Sequence, residues 1–277
     1  MRTSQNSMKA DASSRIACLF ERLRREGRKG FIGYITAGDP SLDRTPDVVA
    51  ALERGGVDLI ELGVPFSDPI ADGPVIQRAS ERALRAGTSL RGVLGAAAEI
   101  RRRSQIPLLL FTYLNPVIRY GLENLARDAA AAGIDGVLLT DLSVEEAERH
   151  IEPLRRYNLD TVFLAAPTST PARLRLIAQY SKGFVYLVSR TGVTGVQDSL
   201  SDSVRPLVEA LRPLTSLPLA VGFGISRPEH MAAVGKVADA AVVGSAFVKV
   251  IEEHADASSL ETKLESLARE LKGGFAS

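Results

Sequence analysis

The sequence lacks the features that mark several large classes of protein. It contains 1 cysteine, so no disulfide can form within the chain. Its 34 basic and 33 acidic side chains leave no excess charge to attract nucleic acid or anionic lipid. No apolar stretch reaches the roughly 18 residues of a membrane-spanning helix, and the polar N-terminal segment has no apolar core of the signal-peptide type. We therefore expect a cytoplasmic protein that binds neither nucleic acid nor membrane.

The chain instead shows a regular alternation of short apolar runs and amphipathic stretches. Eight runs, rich in aliphatic and β-branched residues, are typical of parallel strands buried on both faces. They are residues 31–37, 58–64, 107–113, 136–141, 161–166, 184–189, 218–222 and 240–244. An open doubly wound sheet shares the alternation, but six or fewer strands would favour it, and this chain has eight runs with no glycine-rich dinucleotide turn after the first. The pattern therefore predicts an α/β fold, a (β/α)8 TIM barrel.

Two helices are predicted in addition to the repeating units. The apolar spacing of residues 14–26 predicts a helix before the first strand, able to close the lower end of the barrel. Residues 75–86 predict an extra helix after the second strand, where barrel enzymes keep their active sites. We expect a flexible tail over residues 1–12 and a single barrel domain over residues 13–277.

Glu61 is a carboxylate in the middle of the second predicted strand. The alternation of side chains places Leu59, Glu61 and Gly63 on one face and bulkier aliphatic residues on the other. Because the bulky set suits the helix layer, we expect Glu61 to point into the barrel, where scarce water raises its pKa toward neutrality. A structural ion pair is the alternative. No lysine or arginine lies in any of the eight runs, so we favour a catalytic acid.

Asp68 and Asp72 lie in the proline-rich loop that follows this strand. Aspartate in such a loop is commonly a turn former, through hydrogen bonds to its own backbone. The position of the loop above Glu61 favours a functional role for one of the two. A pair of carboxylates in different environments can divide the roles of acid and base.

Glycine-bearing loops follow the seventh and eighth predicted strands. They contain Gly222, Gly224 and Gly244, and a predicted helix over residues 246–253 begins directly after Ser245. Backbone amides in these two loops, with a helix N-terminus, form the recurrent phosphate site of barrel enzymes. A third loop, residues 189–195, is placed to close over it. These loops predict a phosphate-bearing substrate.

Histidine and lysine are missing from the predicted strand ends. His150, His230 and His254 fall in separate helical stretches, which predicts neither a metal site nor a histidine base. No lysine lies at the carboxyl end of a predicted strand, which argues against an aldolase that forms a Schiff base. We expect acid-base chemistry on an organic phosphate, with no metal and no cofactor.

Four motifs carry a family resemblance. They are Gly38-Asp39-Pro40, residues 61–74 with Gln77, residues 189–195 and residues 222–226. Together they closely resemble the tryptophan synthase alpha subunit family, and the likeness covers about residues 14–272. The resemblance implies a lyase of tryptophan biosynthesis that cleaves indole-3-glycerol phosphate to indole and glyceraldehyde 3-phosphate by a retro-aldol reaction.

The resemblance also implies residue roles. Glu61 matches the family's general acid-base group, and Asp72 matches the carboxylate that binds the indole N–H. Thr194 matches a mobile-loop residue that contacts Asp72 on closure, and Tyr186 matches a residue near the acid. Gly195, Gly224, Gly244 and Ser245 match phosphate-binding positions. For Tyr34, Tyr113 and Phe223, walls of the indole pocket and barrel core remain equal alternatives.

The same resemblance implies a pyridoxal-phosphate beta subunit as partner in an alpha2beta2 heterotetramer. Residues 65–74 and the loop after Arg190 are the expected contact surfaces. Three alternatives remain: a different phosphosugar isomerase or aldolase, a noncatalytic partner of the beta subunit, and a lyase that works alone. A different isomerase or aldolase gives no reason for an apolar pocket that fits a ring. A noncatalytic partner gives no reason for the two acids.

Overall fold

The computed structural model describes residues 14–188, 198–222 and 224–276. These residues contain nine strands: β1 (Gly30–Thr36), β2 (Leu59–Gly63), β3 (Leu108–Thr112), β4 (Gly136–Leu139), β5 (Asp160–Val162), β6 (Leu164–Ala165), β7 (Val185–Val188), β8 (Leu219–Gly222) and β9 (Ala240–Val243). They form one parallel sheet in the order β5-β4-β3-β2-β1-β9-β8-β7-β6. The predicted tail over residues 1–12 lies outside the described residues, and the single-domain assignment stays a prediction.

The predicted eight runs and the nine strands describe the same barrel. The fifth run is divided at Phe163, so that β5 pairs with β4 while β6 pairs with β7. Because these two strands are consecutive in the chain, the two ends of the strand order meet there. The prediction of a TIM barrel is confirmed.

The helices form the outer layer and the two ends of the barrel. They are α1 (Arg15–Arg25), α2 (Thr45–Arg54), α3 (Pro74–Arg85), α4 (Leu90–Arg103), α5 (Leu114–Tyr120), α6 (Leu122–Ala131), α7 (Ala147–Arg156), α8 (Pro171–Tyr180), α9 (Asp198–Leu211), α10 (Pro228–Gly235), α11 (Ser245–His254) and α12 (Leu260–Gly273). The predicted helices before β1 and after β2 are α1 and α3. None of the helices in the described ranges is long and apolar enough to cross a membrane.

The helix α1 closes the lower end of the barrel, as its apolar spacing predicts. Its N-cap is Ser14, whose hydroxyl accepts a hydrogen bond from the backbone N–H of Ala17 at 3.1 Å. Its buried face packs against inward-facing residues of the strands, including Leu59 and Leu109. This end of the barrel interior is therefore filled by aliphatic and aromatic side chains.

An ion-pair network joins three elements near the upper end. Asp39, in the turn after β1, is 2% exposed and receives two hydrogen bonds from the guanidinium of Arg82 on α3, at 2.9 and 2.8 Å. A third nitrogen of Arg82 lies 2.8 Å from Glu252 of α11. A bidentate arginine pair constrains orientation as well as distance. The network fixes α3, which follows the loop that carries Asp72, relative to α11.

Candidate active site

A cavity of about 650 Å³ opens at the C-terminal ends of the strands. Most of the predicted site residues that the structure describes line it: Tyr34, Glu61, Asp72, Tyr186, Gly224, Gly244 and Ser245. Tyr113 contacts the cavity indirectly, through Asp72. The predicted positions Thr194, Gly195 and Phe223 lie outside the described residues. The barrel thus brings together residues that are far apart in the sequence.

Glu61 points into the barrel from the centre of β2, as the alternation predicts. It is 1% exposed, and neither carboxylate oxygen has a hydrogen-bond partner among the described residues. Burial raises the pKa of Glu61 to about 8, because an ion without water or a counter-charge is unfavourable. The side chain is therefore mainly protonated at neutral pH. Glu61 forms no ion pair with an arginine or a lysine in the described part of the chain, so the alternative of a structural ion pair is not supported there.

Two strand-end glycines make room for the tyrosines beside this acid. A Cβ atom at Gly63 would collide with the hydroxyl of Tyr34, and one at Gly222 would collide with the hydroxyl of Tyr186. Both tyrosines are buried, and Tyr34 also meets Phe111 edge-on, with ring centroids 5.2 Å apart. The glycines therefore let aromatic rings from neighbouring strands cross the barrel mouth.

Asp72 is held by Tyr113 at the edge of the same cavity. The hydroxyl of Tyr113 donates to a carboxylate oxygen of Asp72 at 2.9 Å and accepts from the backbone N–H of Ala71 at 3.1 Å. The side chain of Gln77 donates to the backbone oxygen of Asp72 at 2.9 Å. These bonds fix both the loop and the carboxylate. Asp68, in contrast, is exposed and contacts Ser67, so the structure selects Asp72 as the acid of this loop that faces the cavity.

The two cavity acids have different environments. Burial raises the pKa of Asp72 to about 6, while the hydrogen bond from Tyr113 opposes this rise. At pH 7 Asp72 is therefore mainly ionised, whereas Glu61, with a pKa of about 8, is mainly protonated. One group can donate a proton and the other can stabilise positive charge.

The predicted phosphate loops also line this cavity. Gly224 has a φ of 72°, which glycine adopts without strain, and Gly244 is the residue before α11. Ser245 begins that helix, and Ala246 follows it on the cavity wall. The first amide groups of a helix have no acceptor within it, and they favour an anion. The arrangement is suited to a phosphate group.

Sequence reasoning missed part of the cavity wall. The apolar side chains are Ile76, Phe111, Leu164, Val188, Ile225 and Val242. Phe111 could have been found, because it lies two residues after the inward-facing Leu109 on β3. Lys249 and Glu253, which were assigned only to a helix, also line the cavity from α11. Both could have been found from the sequence, because Ser245, Lys249 and Glu253 follow one another at intervals of four residues. This spacing places all three on one face of the helix.

Comparisons with known proteins agree with this geometry. The family model described as tryptophan synthase alpha chain matches residues 20–275. The tryptophan synthase alpha chain of Solibacter usitatus is 66% identical over 262 residues, which are 95% of this chain and 98% of that protein. The one from Geotalea uraniireducens is 49% identical over 261 residues, 94% of this chain and 97% of that protein.

A solved structure is also similar over nearly its full length. Tryptophan synthase subunit alpha from Legionella pneumophila superimposes with a TM-score of 0.88 at 34% identity, covering 96% of this chain and 99% of that chain. The fold, the paired acids and these relatives lead to one conclusion. The chain belongs to the tryptophan synthase alpha chain family, and it is a lyase of tryptophan biosynthesis that cleaves indole-3-glycerol phosphate to indole and glyceraldehyde 3-phosphate.

Proposed function

We propose that Glu61 is the general acid-base group of this retro-aldol cleavage. Its neutral carboxyl group gives a proton to C3 of the indole ring, and the ring nitrogen becomes positively charged. The resulting carboxylate then accepts the proton of the glycerol hydroxyl at the scissile carbon. As the carbonyl forms, the carbon–carbon bond breaks and its electron pair returns to the ring, which restores indole and leaves Glu61 protonated.

Asp72 stabilises the intermediate in this proposal. Its carboxylate accepts a hydrogen bond from the indole N–H and lies beside the positive charge that develops on the ring. The hydrogen bond from Tyr113 supports this role, because it favours the ionised form and fixes the orientation of Asp72. Thr194, by family resemblance, contacts Asp72 when its loop closes.

The remaining cavity residues bind the two ends of the substrate. Tyr34, Tyr186 and Phe111 supply aromatic walls for the indole ring, with Phe223 added by resemblance. The phosphate binds the backbone amides near Gly224, Gly244 and Ser245, with Gly195 contributed by resemblance. The cavity of about 650 Å³ has room for both ends.

The observation that carries the proposal is the buried carboxyl group of Glu61, which has no hydrogen-bond partner among the described residues and shares a cavity with Asp72. The test is Glu61→Gln, which keeps shape and hydrogen-bond capacity but has no proton to transfer. We expect indole release to fall by at least about a thousandfold, within the range for general acid-base catalysis. Affinity for glycerol phosphate should stay within a few-fold of wild type.

The matched control is Glu81→Gln, on the exposed face of α3, where the carboxylate contacts Arg85 alone among the described ion pairs. This variant should release indole at the wild-type rate. Turnover of Glu61→Gln close to wild type, with indole measured directly, would remove Glu61 from the proton-transfer role.

We further propose a beta subunit as partner, in an alpha2beta2 complex located in the cytoplasm. The loop between β2 and α3 supports a contact surface, because Ile70 at its tip is 85% exposed. Adding a purified tryptophan synthase beta subunit should increase indole production and shift the chain into a larger species on size-exclusion chromatography. High turnover by the isolated chain, unchanged by the beta subunit, would indicate a lyase that works alone.

A further inference from the structure

Lys249 is the cationic side chain among the described residues that line the active-site cavity. It lies on α11, the helix that begins at the proposed phosphate site. We propose that Lys249 binds the substrate phosphate and makes the enzyme selective for phosphorylated over unphosphorylated indoleglycerol. This inference rests on the proposed phosphate site at Gly244 and Ser245.

Helix geometry brings Lys249 to the phosphate end of the cavity. Ser245 and Lys249 are four residues apart and therefore lie on one face of α11. Long side chains in a helix lean toward its N-terminus, so the Lys249 stem covers the turn that contains Ser245. The ammonium group carries three rotatable donors at the end of a flexible chain, which lets it follow a phosphate without a fixed orientation.

Neither of the acids near Lys249 forms an ion pair with it in the described part of the chain. Glu252 receives Arg78 at 2.8 Å and Arg82 at 2.8 Å. Glu253 faces the same cavity, but no ion pair or hydrogen bond of the described residues joins it to Lys249. The ammonium group is thus available to an anion, while the nearby Glu253 carboxylate makes anion binding less favourable.

A cation supplies the net positive charge that the backbone amides of the proposed phosphate site lack. Amide groups at Gly244 and Ser245 donate hydrogen bonds without net charge, whereas a phosphate group carries about −1.5 to −2 charges at pH 7. Charge-assisted hydrogen bonds are about twice as strong as neutral ones. Because Lys249 is exposed at the cavity mouth, water screens part of this gain, and we expect about a tenfold contribution to binding.

The experiment compares Lys249→Gln and Glu253→Gln, assayed with indole-3-glycerol phosphate, with indoleglycerol lacking the phosphate, and with glycerol 3-phosphate as a binding probe. Lys249→Gln should raise KM for the phosphorylated substrate and Kd for the probe by about tenfold. Its kcat, and its kcat/KM for the unphosphorylated substrate, should stay within twofold. Glu253→Gln should change Kd in the opposite direction, and Lys249→Arg should restore most of the affinity.

Lys263→Gln, on the exposed surface of α12, is the control for loss of one positive charge and should leave every constant unchanged. Equal losses on both substrates, or an unchanged Kd in Lys249→Gln, would overturn the inference. Ser245→Asp tests the phosphate site at Gly244 and Ser245 separately from the role of Lys249. A carboxylate at this site must repel glycerol 3-phosphate. If Ser245→Asp also binds glycerol 3-phosphate normally, the phosphate site is wrong as well.

Discussion

The two ends of the barrel interior use the same strand faces in opposite ways. At the lower end, Leu59 and Leu109 pack against α1 in a filled apolar core. Two residues further along the same strands, Glu61 and Phe111 line the cavity. At the lower end Leu59 and Leu109 are fully buried among apolar side chains, whereas the upper end leaves a carboxyl group buried without a partner among the described residues. The proposed chemistry is thus located at the end of the barrel interior that holds the cavity.

The largest expected effect comes from moving the acid to the lower end. Leu59→Glu places a carboxyl group in the closed core beneath Glu61, where Leu59 is 0% exposed. We expect a loss of about 4 kcal/mol or more in the free energy of unfolding, because the group is buried without water or counter-charge. Denaturation in urea measures the change, and Glu61→Leu is the control, which we expect to be folded and, if Glu61 has the proposed role, inactive. A wild-type midpoint for Leu59→Glu would show that the two ends do not differ in this way.

The next effect is on the pH dependence of stability. Burial raises the pKa of Glu61 to about 8, from the usual value of 4.5. Between these values the folded protein binds more protons than the unfolded chain, so the free energy of unfolding falls as pH rises through this window. The loss should be on the order of a few kcal/mol. Urea titrations from pH 5 to about 9 give the free energy of unfolding at each pH. This free energy should fall with pH in the wild type and change less in Glu61→Gln. Equal slopes in the two proteins would contradict a raised pKa of Glu61.

Replacing Asp72, the second acid of the cavity, should reduce activity strongly without changing the apolar core at the lower end of the barrel. We expect Asp72→Asn to lose at least about a hundredfold in kcat for indole release, since the amide cannot balance the positive charge on the ring. Asp68→Asn, in the same loop but exposed, is the matched control and should keep wild-type activity. A loss below tenfold in Asp72→Asn would reassign this residue to holding the loop.

The smallest effect is a shift in the pH profile. In the proposed mechanism activity needs ionised Asp72 and protonated Glu61, so kcat/KM should follow a bell-shaped pH profile between about pH 6 and about pH 8. Tyr113→Phe removes the hydrogen bond that lowers the pKa of Asp72, and the acidic limb should move to higher pH, with a loss of about tenfold at pH 6.5. Tyr120→Phe, whose hydroxyl contacts Asp128 instead, should keep the wild-type profile. An unmoved acidic limb in Tyr113→Phe would assign that limb to another group.

Residues within one strand or one helix could be placed from the sequence. Alternation alone placed Glu61 inside the barrel, and apolar spacing placed α1 beneath it. The short helix α5 was not foreseen, because its 7 residues are too few for a period to show. Lys249 was assigned to its helix correctly, but its position on the cavity wall depends on how α11 sits against β1 and α3.

The sequence by itself determined the barrel, the inward direction of Glu61 and the loops that carry the predicted phosphate site, because side-chain periodicity and turn residues are local properties. Only the tertiary structure decided that Asp72 rather than Asp68 faces the cavity, that Tyr113 holds it, and that Lys249 reaches the same space. These facts depend on distances between residues far apart in the chain. Burial and pKa follow from those distances, since they are set by every neighbour that excludes water.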